Sequence, residues 1–354
     1  MSIDGREGGE HRVGMWFCLR CPWALVLFLV LWPGAVYADL PAAVRYADGR
    51  NTRALIIWQA GRIEWESYGN GGGPQTAENV FSITKSMTAL AVFSAIGRGW
   101  LRLDDPVAKT LPAWRDLPGK RAITVRQLLQ LTSGLSPGYE LYASSLRDKR
   151  AAALKVRMVE GPGTHFAYGP SHYEVLEALL AGQGPPLAWV KKSVLDPLGI
   201  VPAGWRRDRE GQGYFSAGAR LTARDLLALG HLVRRRGWKG IFPLIPPSLM
   251  DEARQGSSAN AIYGLGFWLN RQAAASGVIE RDLEEALAAG LTRRDWERTC
   301  LSRLAPADLV VMAGSEGQRV YISPSQRLVI VRLGRGHKFR DPDFLRAFFR
   351  PAKN

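Results

Sequence analysis

Between Glu78 and Arg98 a single side chain carries charge, Lys85. Around it, FSITKSMTALAV sets Met87, Ala89, Leu90, Ala91, Val92, Phe93 and then Ile96 over most of a helical circumference. A helix that is apolar on every side has no face to offer water, so it must lie inside the fold. The pattern predicts a buried helix from about Ser82 to Ile96, stopped by Gly97 and Gly99. Whatever surrounds it must cover all sides and must also accommodate an ammonium group.

The flanking patterns say what does the covering. Upstream, Ala54 to Trp58 and Ile63 to Tyr68 are β-type runs separated by a turn, a hairpin signature. Downstream, from about residue 101 to 204, helical patterns dominate: Thr124 caps VRQLLQL, Tyr173 to Ala181 is a second helix, and Pro197-Leu198-Gly199 ends a third. Another helix starts near Thr222. Strand character then returns in GLGFWLN, RVYIS (Arg319 to Ser323) and RLVIVRL (Arg327 to Leu333). A last helix is expected at Asp341-Pro342, read as N-cap and N1 proline. Strands, helices, strands in that order predict an α/β (α+β) fold. Its sheet domain comes from both chain ends, about 39–100 and 205–354, with an all-α part inserted over about 101–204. Residues 270–309 interrupt the strand pattern as a polar, partly helical excursion.

The first 38 residues stand apart. Ala24 to Trp32 is solidly apolar, with Arg12 and Arg20 before it and small residues around Val36-Tyr37-Ala38 after it, the grammar of a cleaved export signal. The run is short for a membrane span, so an exported, periplasmic or secreted protein is expected, with an uncleaved anchor as the alternative. Cleavage after Ala38 removes Cys18 and Cys21 and leaves Cys300 with no partner for a disulfide. The five histidines show no ligand spacing, and no metal or organic cofactor is expected. Forty-seven Lys and Arg against thirty-two Asp and Glu give a net charge of +15. An Arg-rich composition spread over the surface accounts for this more simply than a partner does, with anionic envelope polymers or lipid headgroups as the alternative. Without interleaved aromatics beside its Arg234 to Arg236 cluster, it does not read as a nucleic-acid binder.

The chemistry lies at Ser82 and Lys85. Three residues apart on a helix, a hydroxyl and an amine share one face. Ser82 falls in the first turn, where free N–H groups favour developing negative charge, and a poorly solvated lysine gives up its proton near neutral pH. Together they make a weak nucleophile beside a tuned base. A capping serine with a snorkelling lysine would have the same spacing, but the apolar surround of Lys85 argues against a surface helix.

With these residues in place, the sequence resembles the serine β-lactamase and penicillin-binding superfamily, closest to class C β-lactamase-like esterases, amide hydrolases and D,D-peptidases. The likeness runs from about Ala54 to Gly334. It rests on FSITKSMTAL, LRLDDPVAKTLP, ITVRQLLQLTSGL, GPGTHFAYGPSHYEVLEALLA, LDPLGI, SAGARLTARDLLALG, YGLGFW and MAGSEGQRVYISPSQRLVIVRLG in that order. The resemblance implies an antiparallel sheet flanked by helices. It also implies Ser82 as acylated nucleophile, Lys85 as its base and Tyr168 as the phenol that relays the proton. Met312-Ala313-Gly314 falls at the family's third motif, with the N–H of Ser315 joining that of Ser82 as oxyanion hole. Two positions depart from the pattern. Pro170 replaces an asparagine, whose contact Ser171 or His172 would have to supply, and Met312 replaces the cation that helps bind a carboxylate. The implied activity is therefore hydrolysis of a small-molecule or peptide ester or amide, with an esterase or amidase favoured over an efficient β-lactamase.

Two other readings compete. A binding or sensor module on the same scaffold would be acylated once or not turn over. The string Ala313-Gly314-Ser315-Glu316-Gly317 resembles an α/β-hydrolase nucleophile elbow, which would require a strand before Ser315 and a helix after it.

Overall fold

The computed structural model describes residues 39–350, so the expected export segment lies outside the described residues. Helix α1 (Leu40–Asp48) leads into the hairpin β1 (Thr52–Gln59) and β2 (Arg62–Tyr68), then β3 (Glu78–Asn79) and α2 (Ile83–Gly97). Next come α3 (Val125–Leu129), α4 (Lys149–Lys155), α5 (Ser171–Ala181) and α6 (Pro186–Val190), joined by turns and short 3-10 segments. Strands β4 (Gly204–Trp205) and β5 (Ala219–Leu221) precede α7 (Ala223–Arg234), the small hairpin β6 (Trp238–Lys239) and β7 (Phe242–Pro243), α8 (Pro247–Glu252) and β8 (Trp268–Leu269). The polar excursion holds β9 (Ile279–Glu280), α9 (Leu283–Ala288), α10 (Arg293–Glu297) and β10 (Thr299–Cys300). The chain closes with β11 (Val310–Gly314), β12 (Gln318–Ser323), β13 (Leu328–Gly334) and α11 (Asp341–Phe349).

The main sheet has the order β2-β1-β13-β12-β11-β8, and its strand pairs are antiparallel. β1 and β13 pair from Thr52↔Gly334 to Gln59↔Leu328, so the two chain ends meet at the middle of the sheet. This is the α+β architecture with an antiparallel sheet flanked by helices. Tyr321 of β12 stacks on Phe344 of α11, with ring centroids 5.6 Å apart. On β1, Trp58 meets His231 of α7 edge to face at 4.5 Å. Helix α2 runs between β11 and the helices α5 and α6, and every residue from Ile83 to Ala95 is buried.

Local chemistry accounts for the element boundaries. Thr124 and Gln127 form a reciprocal capping box at the start of α3. The run GLGFWLN is less of a strand than its composition predicts, because only Trp268 and Leu269 pair with β11. Gly266 has φ +88°, and a Cβ there would lie 2.7 Å from the Cβ of Ala89. The segment before Trp268 is thus shaped by close contact with α2, with the Gly266 carbonyl accepting from Ser86 Oγ at 2.7 Å. The last helix is also corrected by one residue: Arg340 is its N-cap, and Asp341 is its first residue. The Asp341 carboxylate does not cap, because it accepts from Arg319 Nε at 2.8 Å, Arg319 Nη2 at 3.0 Å and the Tyr321 hydroxyl at 2.5 Å.

Candidate active site

Ser82 stands at the N-cap of α2, yet its hydroxyl makes no capping bond. The preceding Phe81 has φ +46°, a costly conformation for a bulky residue, and it turns the chain sharply from β3 into the helix. The hydroxyl thus avoids the usual fate of an N-cap serine and lines a cavity of about 510 Å3 with Lys85, Tyr168 and Ser315. This is the size of an ordinary small-ligand site.

Lys85 is 2% exposed, and its Nζ donates to Ser82 Oγ at 3.0 Å and to the Ser216 carbonyl at 3.0 Å. Burial drives its pKa from 10.5 down to about 7, against the opposing pull of the Glu174 carboxylate. The amine is therefore held against the hydroxyl with a large neutral fraction near pH 7. Its Nζ also lies 4.8 Å from the centre of the Tyr168 ring. Tyr168 stacks on Trp268 at 5.8 Å and meets Tyr263 edge to face. Burial pushes its phenol up to about 12, partly offset by a hydrogen bond with Ser82, so it keeps its proton at neutral pH.

Ser315 sits in the tight turn between β11 and β12. Gly314 lies so close to the chain before Ser82 that a Cβ on it would sit 2.2 Å from the Val80 carbonyl oxygen. Two buried guanidinium groups fix this turn: Arg319 Nη1 donates to the Gly314 carbonyl and Arg332 Nη1 to the Gly317 carbonyl, each at 2.7 Å. Among the described residues, neither the Ser82 nor the Ser315 backbone N–H donates to another protein group. Two unspent donors on segments that meet at Gly314 and Val80, both lining one cavity, suit an oxyanion.

The third-motif residues divide. Ser315 lines the cavity, while Met312 is fully buried in the core and Ala313 and Gly314 are not part of the cavity wall. Gly314 acts through the room that its missing side chain leaves. Neither neighbour of Pro170 supplies the missing amide contact: Ser171 Oγ donates to the Ser136 carbonyl at 2.6 Å, and His172 is fully buried with both ring nitrogens unpartnered. Burial and the Lys85 charge lower the His172 pKa to about 3. The nucleophile-elbow reading of Ser315 fails, because strand β12 follows where that motif needs a helix. No group of three or more acidic, histidine or cysteine side chains suited to a metal occurs among the described residues.

Comparisons with known proteins give the family. A family model described as beta-lactamase matches residues 41–348. The chain belongs to that family. Among curated β-lactamase-family relatives, the esterase/beta-lactamase LipL of Mycobacterium tuberculosis is 32% identical over 137 residues, 38% of this chain and 30% of that protein. The D-alanyl-D-alanine-carboxypeptidase/endopeptidase AmpH of Escherichia coli is 26% identical over 183 residues, 46% of this chain and 47% of that protein. The chain therefore spans less than half the length of either relative. An octameric penicillin-binding protein homologue from Pyrococcus abyssi has the same fold, with a TM-score of 0.59 and 20% identity, over 86% of this chain and 74% of that one.

In this member of the β-lactamase family, sequence reasoning missed the groups that hold Lys85. Glu174 of α5 is fully buried and accepts from the Phe215 N–H at 3.1 Å, the Ser216 N–H at 3.0 Å and Ser216 Oγ at 2.5 Å. It thereby fixes Ser216, the residue whose carbonyl receives Lys85. Lys149 Nζ, itself buried, pairs with Glu174 at 2.7 Å and with Glu177 at 3.5 Å, and Arg150 Nη2 reaches Glu177 at 2.6 Å. A signal was present in the sequence: Glu174 and Glu177, one turn apart, are the only charges in the apolar run YEVLEALLA.

Proposed function

We propose that this β-lactamase-family protein is a serine hydrolase that cleaves an ester or amide through an acyl-enzyme on Ser82. The observation that carries the reading is the buried Lys85 amine, 3.0 Å from an uncapped Ser82 hydroxyl and shifted to about pH 7 by desolvation. In the proposed cycle, neutral Lys85 takes the proton as Ser82 Oγ attacks the carbonyl carbon. The N–H groups of Ser82 and Ser315 receive the oxyanion. As the tetrahedral intermediate collapses, the proton passes by way of Tyr168 to the leaving oxygen or nitrogen. Water then enters, gives up a proton to the same groups and releases the acid, restoring Ser82. Tyr168 suits proton delivery, because its raised pKa keeps the phenol protonated until needed.

The esterase and carboxypeptidase names of the relatives favour an acyl-transfer substrate with an ester or amide bond. With no cation at Met312, esters and amides are favoured over efficient β-lactam hydrolysis. Export through the segment ending near Ala38 forms part of the same proposal and rests on the sequence pattern alone.

The test is turnover of a p-nitrophenyl short-chain ester by the native protein and by Ser82→Ala, with intact-mass measurement after a fluorophosphonate. Burst kinetics and a mass shift located at Ser82, both absent from Ser82→Ala, are expected. Equal turnover by both proteins refutes the proposal. A label that forms on Ser82 and never leaves would favour the non-hydrolytic penicillin-binding or sensor reading instead.

A further inference from the structure

The cavity around Ser82 is electrically lopsided. One wall comes from the small sheet of β3, β5 and β4, where the Arg206 backbone N–H donates to the Gly218 carbonyl at 2.8 Å. The Arg206 guanidinium lines the cavity and is held from behind. Its Nη2 donates to the Tyr142 carbonyl at 2.7 Å, and its central carbon lies 4.5 Å over the Tyr214 ring and 5.5 Å from that of Tyr142. Arg206 forms no ion pair among the described residues. A guanidinium held over two aromatic rings and by one bond from Nη2, with its remaining N–H groups unspent, is a receptor for a planar anion.

The other wall comes from the β11–β12 turn and the excursion after Asn270, and it carries a carboxylate. Glu284 of α9 accepts from the Gly317 N–H at 2.9 Å, contacts His337 Nδ1 at 2.9 Å, lies 3.6 Å from Arg319 Nη2 and lines the same cavity. Among the described residues no cation lines the cavity on this side; the nearest guanidinium, Arg319, is buried behind Glu284 and pairs chiefly with Asp341 at 2.8 Å. Between the two charges the lining is aromatic and aliphatic, with Tyr139, Tyr168 and Leu287 facing the space. A carboxylate entering this cavity is attracted toward Arg206 and repelled from Glu284.

We propose that the cavity binds a substrate carrying one carboxylate, seated on Arg206, an apolar body against the tyrosines, and a neutral or cationic end toward Glu284. This rests on the cavity being the substrate site of the proposed hydrolase, and the experiment keeps the two apart. Equilibrium binding of 4-phenylbutyrate, its amide 4-phenylbutyramide and its amine 4-phenylbutylamine is measured by calorimetry on Ser82→Ala, which needs no turnover. The carboxylate should bind about tenfold tighter than the amide, the effect of one charge-assisted contact in a half-open site. In Arg206→Met that ratio should fall to near one, and Arg206→Lys should keep most of it. Taking the ratio to the amide cancels any loss caused by movement of Tyr142. Glu284→Gln should weaken the amine relative to the amide severalfold while the carboxylate preference persists. A ratio near one in the starting protein, a ratio untouched by Arg206→Met, or failure of all three probes to bind overturns the proposal. Equal ester turnover by native protein and Ser82→Ala would instead refute the hydrolase reading and leave these ratios standing as measured.

Discussion

Replacing Lys85 with methionine should make the protein more stable at pH 6 and confer little or no advantage at pH 10. In the folded chain the amine has a pKa of about 7, against 10.5 when solvated. The folded state therefore binds fewer protons than the unfolded chain between these values, so burying the amine destabilises the fold fully below pH 7. The cost shrinks as pH rises and is gone above 10.5. A shift of that size corresponds to about 5 kcal/mol. Against it, the substitution removes the two hydrogen bonds from Nζ to Ser82 and Ser216 and leaves the Ser216 carbonyl unpaired. At about 1 kcal/mol for each bond and about 1 kcal/mol more for the unpaired carbonyl, a net gain of about 2 kcal/mol at pH 6 is expected. Glu174 stays paired with Lys149 in the variant, and its contribution largely cancels between the two proteins. Urea denaturation of both proteins at pH 6, 8 and 10 measures the difference. A stability difference that stays flat across this range would show that the amine is not desolvated, and the basis for calling it a base near neutral pH would go with it.

Four further outcomes follow from the structure. The kcat/KM for an ester should rise with pH through about 7 as Lys85 loses its proton. In Glu174→Gln this limb should move to lower pH, because the carboxylate that holds the proton on Lys85 is gone; an unmoved limb would reduce Glu174 to a structural role. Gly314→Ala should destabilise the fold by about 2 kcal/mol or more and lower activity sharply, since its Cβ would sit 2.2 Å from the Val80 oxygen; native-like melting would contradict the close approach. Asp341→Asn should cost about 3 to 5 kcal/mol in urea denaturation, the usual loss when one partner of a buried ion pair is removed.

The contact between Ser82 and Lys85 was legible because both lie at the start of one helix, where spacing alone sets their relation. Tyr168 was legible only through resemblance, since a tyrosine in FAYGP has no local pattern that separates catalysis from packing. The third motif was read one step too generously. Strand alternation sends Met312 into the core, and only Ser315, beyond the strand end, reaches the cavity. Arg206 and Glu284 could not be found from the sequence, because each is one charged residue among many in a chain of net charge +15.

The sequence by itself determined that a lysine would be buried on an apolar helix beside a serine, and that strands from both chain ends would build one sheet flanked by helices. Periodicity and composition act over a few turns, and those features need no more. Tertiary structure decided what the lysine does there. The Ser216 carbonyl is brought 131 positions along the chain to Lys85, and Glu174 fixes the residue that presents it. The proton affinity of Lys85 is the balance of desolvation by the whole core and one carboxylate from α5, and neither quantity exists until the chain has folded.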